Sequence, residues 1–581
     1  MPPRRVRALN RAVPAARKTG RRRKSPDART AAPRLVTCAR ARTNSRGALL
    51  LRRNRSYLTT RNPGGQAMAA AQTAPATAQK RPRDPRLDFF RGLAMFIILL
   101  AHTPMNSWTL WIPARFGFSD ATEIFVFCSG MASALAFGTV FRERGWGMGV
   151  ARVAFRVWQV YWAHVGVFLF TVALLAFADL RGWGGEDVTH IARPYVVPFF
   201  EDTQRYLVGL LTLSYVPGLF DILPMYLAIL ALIPVVIGAH RLGGLPAAAG
   251  LSVGLWLAAT LAGLAWTGDW APLDALGAPF LALNLPGSPA GDATWFFNPF
   301  AWQLVFFTGF AFGMGWLPAP PVSRRLIGAA VAFLLLSIPF AWYKIHQGFY
   351  LPDAWLLQDW IEDARAAMRP LWTKTWQGLF RYLHFLALAY LAWVAVGPRG
   401  ARLSEGFRGA PIPLDVRRRR ALIAAAVAIP TIPYSYVPEI KALAPALDAW
   451  VLATLPVHPA LSALSLVHLA ALCVLVWSLM SDAARAWLVG PALVAAVPVI
   501  RKVGTQSLAV FMVSIPLSRV MGFAYDAWGA TVFTRPVVNL SGFAVLIATA
   551  YFCSWIKAHP WRRPAPAPAS GGATATAERS A

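Results

Sequence analysis

The sequence predicts an all-α polytopic membrane protein, a bundle of about 10–12 transmembrane helices of the ~20-residue length a bilayer requires. Three observations carry that expectation. Of the 581 residues, 56% are hydrophobic and only 14% charged, whereas soluble domains hold roughly 25% charged residues. Apolar stretches of spanning length recur along the chain. The Lys and Arg residues between them fall in alternate loops, the pattern by which cytoplasmic loops are marked.

Residues 1–80 are rich in Arg, Ala, Pro and Thr and lack a core pattern, so they are expected to be a disordered extension. The apolar run Gly47 to Leu51 is too short for a signal-peptide core, and Arg52, Arg53 and Arg55 follow it. An Arg-rich transit peptide is one reading of this extension. A start at Met68, which opens a short polar lead into the first span, is the expected one.

Twelve apolar segments follow, at roughly 86–105, 120–141, 155–180, 221–240, 246–266, 300–317, 326–343, 378–397, 421–437, 461–480, 504–522 and 539–556. Segments 206–219 and 487–500 are apolar but short, and read as interfacial or re-entrant. Lys80, Arg81, Arg83 and Arg86 precede the first span, which places its N-terminus in the cytoplasm. Alternation then brings inside Arg142, Arg144 and Arg152; Arg241; Arg324 and Arg325; Arg399, Arg402, Arg408 and Arg417 to Arg420; Arg485, Arg501 and Lys502; and Lys557. Opposite loops carry acids such as Asp179, Glu201, Asp274, Asp359 and Glu362. The expected topology is multi-pass with both termini cytoplasmic. Its divisions are a transmembrane core at 81–397, a basic cytoplasmic loop with inserted spans at 398–500, closing core spans at 501–558, and a disordered tail at 559–581. No internal repeat is evident.

The net charge of +31 raises nucleic acid as a partner, but 19 of the 57 Lys/Arg lie in residues 1–67 and much of the rest marks orientation. No nucleic-acid partner is expected; the lipid bilayer is. Cys38, Cys128, Cys473 and Cys553 lack metal or redox spacing, and the last three read as small core residues. No phosphate loop, zinc spacing or dinucleotide fingerprint is present, so neither a metal nor a bound cofactor is expected. Most of the tryptophans near the outer boundaries, among them Trp108, Trp111, Trp295, Trp302, Trp342, Trp355 and Trp360, read as an aromatic belt.

The chemistry concentrates in spans one and two. Ionisable side chains within spans are costly and face a bundle interior. Asp88, Arg91 and His102 fall on one stripe of a helix, because the eleven-residue step from Arg91 to His102 comes within about 20° of three full turns. His102 then sits roughly 16 Å further along the axis than Arg91. Asp120 and Glu123 open span two on a shared face, level with His102. A histidine beside carboxylates is a general-base arrangement in which the carboxylate orients the imidazole and the imidazole takes a hydroxyl proton. A structural polar cluster that locks two helices is the alternative reading of the same residues.

The segments RDPRLDFFRGLAMFIILLAH (83–102) and FGFSDATEIFVFCSGM (116–131) closely resemble the OpgC family of membrane acyltransferases, which succinylate osmoregulated periplasmic glucans. WQVYWAH (158–164), DILPMYLAILALIP (221–234), FFNPFAWQLVFFTGF (296–310), RYLHFLALAYL (381–391) and GTQSLAVFMVSIPLS (504–518) extend the resemblance over most of 82–556. The Arg91 and His102 spacing is similar to the Arg-x10-His element of the wider acyltransferase-3 superfamily. The region 398–500 departs from the roughly ten spans usual in the family, which leaves the exact acceptor open. The resemblance implies an acyltransferase-3-like fold in a bacterial inner membrane. It also implies acyl transfer from a cytoplasmic acyl-CoA, succinyl-CoA above all, to hydroxyls of a periplasmic glucan, with His102 as base and Asp120 or Glu123 orienting it. Arg91 would hold the donor or order the pocket.

Other polar residues at membrane depth are candidates for substrate or donor binding. Asn298, Gln303, Arg381 and His384 lie at the outer level and are expected to join His102, Asp120 and Glu123 around one pocket. Asp88 and Gln506 lie toward the inner side with Arg91, as do Arg152, Arg156, Gln159 and His164, where phosphates of a donor would need cations. Hydrogen bonding between helices is the plainer reading of each taken singly. A glycan or lipid-linked-sugar transporter is the rival function, although the matched halves that transporters show are not evident. A non-catalytic partner of a glucan synthase is a weaker third.

Overall fold

The computed structural model describes residues 84–561 apart from 184–188, 193–195, 269–270, 292, 347–355, 407–410, 436–462 and 532. The expected disordered extension 1–80 and the tail from 562 lie outside the described residues, as do Cys38 and Trp355. The described residues form helices and no strand, with one isolated bridge between Pro286 and Thr294. The main helices are α1 (Pro85–His102), α2 (Ala121–Glu143), α3 (Gly145–Leu180), α4 (Ile222–Ala231), α5 (Ile233–Thr267), α6 (Pro299–Met314), α7 (Arg324–Ala341), α8 (Leu379–Val396), α9 (Leu414–Ser435), α10 (Ala463–Leu479), α11 (Asp482–Thr505), α12 (Ser507–Trp528) and α13 (Thr534–Lys557).

Eight stretches among the described residues are long and apolar enough to cross a membrane: α2, α3, the 46-residue run Ile222–Thr267, α7, α8, α11, α12 and α13. The chain is a multi-pass membrane protein. The run Ile222–Thr267 breaks where the sequence pattern separates two spans. Gly243 and Gly244 leave helical geometry there, Gly244 at φ +65°, a backbone region open to glycine at no steric cost. The other expected spans fall short on composition or length. α1 carries Arg86, Asp88 and Arg91, α6 has 16 residues, α9 opens on Arg417 to Arg420, and α10 has 17 residues.

α6 lies at the centre. It is apolar on every side, and Ala301, Trp302, Val305, Phe306 and Phe310 are each fully buried, the environment such a helix needs. It crosses α2 at backbone distance. A side chain at Gly130 would collide with the Phe306 carbonyl, and one at Gly309 with the Phe127 carbonyl. Small residues at the crossing are how helices approach closely in lipid, where burial itself gives little drive to associate. Long apolar side chains point outward instead, among them Phe155, Trp158 and Phe170 of α3 and Leu335 and Leu336 of α7; in a bilayer such faces meet lipid.

α11 has the length and composition of a span, yet its partners all lie at the Arg91 end of the bundle. Gly504 presses on the Asp88 carbonyl, Ile500 on Gly92 and Gly490 on Gly406, and Val497 packs with Val396 and Leu403. These contacts set α11 against the Arg91 end of α1 and the Val396 end of α8. Two other expectations are corrected. Cys473 is exposed on α10 rather than in a core, while Cys128 is buried. Trp295, Trp302 and Trp342 are buried rather than part of a boundary belt.

Candidate active site at the His102 end of the bundle

α1 begins at Asp84, whose carboxylate caps the helix by accepting from the Arg86 amide at 2.9 Å. One helix, α12, then reaches both ends of α1. The Arg91 guanidinium donates to Ser507 Oγ at the start of α12, and the His102 carbonyl accepts from Arg519 further along the same helix. α1 and α12 therefore run parallel, α12 meeting the Arg91 side chain at one end and the His102 carbonyl at the other. Asp88 is buried beneath α11.

α2 starts on a capping box. The Asp120 side chain accepts from the Thr122 amide at 2.7 Å, and Glu123 reaches back to accept from the Asp120 amide at 2.8 Å, which satisfies donors that every helix start leaves over. The remaining carboxylate oxygens go to cations. Lys374 Nζ lies 2.6 Å from Asp120 Oδ2, and Arg381 grips Glu123 Oε1 through Nε at 2.9 Å and Nη2 at 2.6 Å. Arg381 also comes within 3.5 Å of Asp120. Burial works against the Asp120 carboxylate, but the charges of Lys374 and Arg381 outweigh it and hold its pKa below the usual range. The expected role of Asp120 or Glu123 in orienting His102 finds no hydrogen bond among these, since both carboxylates accept from other groups. Both acids point their oxygens at Lys374 and Arg381 because a buried carboxylate gains most from a buried cation.

The His102 ring lines a cavity of about 320 Å³ with Ala101, Thr122, Gly218, Leu219, Asp221, Ile222, Phe296, Phe297, Lys374 and Arg519. Its Nδ1 is buried and makes no hydrogen bond among the described residues. His164 on α3 is also buried with neither ring nitrogen bonded, but it does not line this cavity. The cavity thus brings together the His102 ring, one carboxyl (Asp221) and two cations, Lys374 and Arg519. Burial pushes the Asp221 carboxyl up to about 6, against the pull of Lys374.

Lys374 is held in place by its loop. The Lys374 carbonyl accepts from Trp302 Nε1 at 2.9 Å, the Thr375 carbonyl from the Asn298 amide at 3.1 Å, and the Gln377 carbonyl from Trp256 Nε1 at 3.0 Å. Gln377 takes a left-handed φ of +48° to close the turn. The ammonium also stands 5.2 Å over the Phe297 ring, a favourable cation–π placement.

The other expected pocket residues sit elsewhere and have partners. Asn298 caps α6, accepting from the Phe300 amide at 3.0 Å and donating to the Leu283 carbonyl at 3.0 Å. Gln303 clamps α6 to α5. It donates to the Ser252 carbonyl and accepts from Ser252 Oγ, both at 2.7 Å. His384 is wedged under the loop before α2, with Nδ1 2.7 Å from Ser119 Oγ and Nε2 against Gly117. Gln506, at the Arg91 end, accepts from Lys557 Nζ at 2.6 Å. None of these four lines the cavity.

Sequence reasoning missed Lys374, Asp221 and Arg519. A signal existed for two of them. Asp221 and Arg519 are ionisable residues at the edge of, or inside, apolar segments, the kind of residue that membranes retain for function. Lys374 sits in a Trp-rich connection and carries no such mark.

A family model described as OpgC protein matches residues 83–413 and 406–558. Neither the curated proteins nor the solved structures include a match. The matched residues take in α1, the cavity, its ion pairs and the helices that hold them. The chain belongs to the OpgC family.

Proposed function

We propose that the protein is a membrane O-acyltransferase that moves an acyl group, succinyl in the first instance, from a cytoplasmic acyl-CoA to hydroxyls of a periplasmic glucan. Family membership supports an enzyme of acyltransferase type. The observation that carries the reading is the His102 ring, which lines a cavity of about 320 Å³ together with Lys374 and Arg519.

In this reading an acceptor hydroxyl enters the cavity and His102 takes its proton as the oxygen attacks the thioester carbonyl. The C–S bond then breaks, and the imidazolium returns the proton to the departing thiolate. Lys374 or Arg519 would face the negative charge that develops on the carbonyl oxygen. Asp120 and Glu123 act one step removed, by fixing Lys374 and the start of α2. Arg91 serves the donor at the other end of α1, the side given to the cytoplasm together with both termini by the loop charges. The bacterial inner membrane follows from a periplasmic acceptor and a cytoplasmic donor.

The test is mass spectrometry of periplasmic glucans from a deletion strain carrying either the wild-type chain or His102→Ala. Acyl substituents restored by the wild type and absent with His102→Ala, at equal membrane levels, are expected. Glucans acylated alike by both would overturn the reading, and loss of the glucans themselves would favour a transporter.

A further inference from the structure

α9 and α10 pack mainly on each other. His468 Nδ1 lies 2.9 Å from Thr431 Oγ1, and Arg417 Nε donates to the Ser478 carbonyl at 3.2 Å. Their outer faces are apolar and open. Leu422, Ile423 and Ile429 of α9 and Val474, Val476 and Leu479 of α10 are all exposed. In a membrane protein such faces meet lipid.

One end of this hairpin is different. Four consecutive arginines, Arg417 to Arg420, stand 100° apart around α9, so they cannot all turn toward α10. Arg417 does so, reaching Ser478 and coming within 3.9 Å of Asp482. Arg418, Arg419 and Arg420 are exposed. Beside Arg420 runs a groove of about 510 Å³ whose other walls are Cys473, Val474, Trp477 and Ser478 of α10. It therefore has a cation at its mouth and a mostly apolar floor, on a surface that faces lipid.

We infer that this groove seats one anionic phospholipid, with its phosphate on Arg420 and an acyl chain along Val474 and Trp477. Charge complementarity selects the headgroup, because the Arg420 cation is attracted to a net negative headgroup and not to one whose phosphate is neutralised by its own cation. The apolar floor selects an amphiphile over a soluble anion. The site is separate from the His102 cavity and shares no residue with it.

The experiment is native mass spectrometry of the full-length protein in detergent, with phosphatidylglycerol or phosphatidylcholine of the same acyl chains. Wild type is expected to retain phosphatidylglycerol in preference. Arg420→Gln should cut that retention about fivefold, which corresponds to the ~1 kcal/mol that one Lys or Arg near an anionic lipid surface contributes. Arg420→Lys should keep most of it, showing that the protein still folds with a changed residue there, and Trp477→Ala should weaken both lipids. Equal retention of the two lipids by wild type would overturn the inference, as would an Arg420→Gln variant indistinguishable from wild type. Displacement of phosphatidylglycerol by excess inorganic phosphate would show an anion site instead, and displacement by acyl-CoA alone a donor site. Trp477→Ala without effect would reduce the groove to diffuse charge attraction.

Discussion

Two regions at the same end of the bundle treat polar groups in opposite ways. Between α2, α6 and α8, polar side chains are bonded: Glu123 to Arg381, Asp120 to Lys374, His384 to Ser119, and Asn298 and Gln303 to backbone and side-chain partners. In the neighbouring cavity beside α1, His102, Asp221, Lys374 and Arg519 gather around open space. Buried polar groups cost free energy unless bonded. The first region therefore reads as scaffold, and the second is the site proposed for chemistry.

Substitutions separate the two. In the cavity, His102→Ala should reduce acyl transfer by about 10²–10⁴-fold, the span of general-base contributions, with the melting temperature of the solubilised protein nearly unchanged. A large fall in melting temperature would move His102 into the scaffold. In the scaffold, Glu123→Ala leaves the Arg381 charge uncompensated and should cost about 3–5 kcal/mol of stability, seen as lower yield and earlier thermal unfolding. The double variant Glu123→Leu with Arg381→Leu should recover much of that loss; a double variant as unstable as the single would argue against a purely structural pair.

Asp221 gives a pH signature. Its carboxyl is held near 6 when folded, above the ordinary value of 3.8. The unfolded chain therefore ionises first, and the buried charge lowers stability as pH rises from about 4 through 6. Asp221→Asn should raise the melting temperature at pH 8, with the gain shrinking toward pH 4. A gain independent of pH would place the effect elsewhere. The smallest effect is expected from Gln303→Leu. Hydrogen bonds between membrane helices average about 0.6 kcal/mol, with a maximum near 1.7, so activity should persist with a modest drop in melting temperature.

The sequence exposed the helical fold through hydropathy and charge alternation, since the same physics that puts a segment in lipid also sets its composition. It exposed the Arg91 and His102 stripe because both residues are costly at membrane depth and one helix fixes their spacing. It did not expose what pairs with what. Glu123 and Arg381 are 258 residues apart in the chain, and nothing local says that the carboxylates turn to α8 and its preceding loop rather than to His102. Lys374 was illegible for the same reason. Its place is set by Trp302, Trp256 and the backbone of Asn298, and each of those reads locally as an ordinary membrane residue.

The contact of Gly92 with Ile500 and of Gly504 with Asp88 has a consequence in time. The helix that carries His102 is among the first parts of the chain to be made, and its backbone partner emerges about 400 residues later. At roughly 5–20 residues per second, α1 waits on the order of 20–80 s before Asp88 and Arg91 are enclosed. During that interval an unfinished chain holds charged groups in the bilayer without their final cover. A truncated product ending before residue 500 would stay in that state, and its α1 would be open to the proteases that clear unassembled membrane segments.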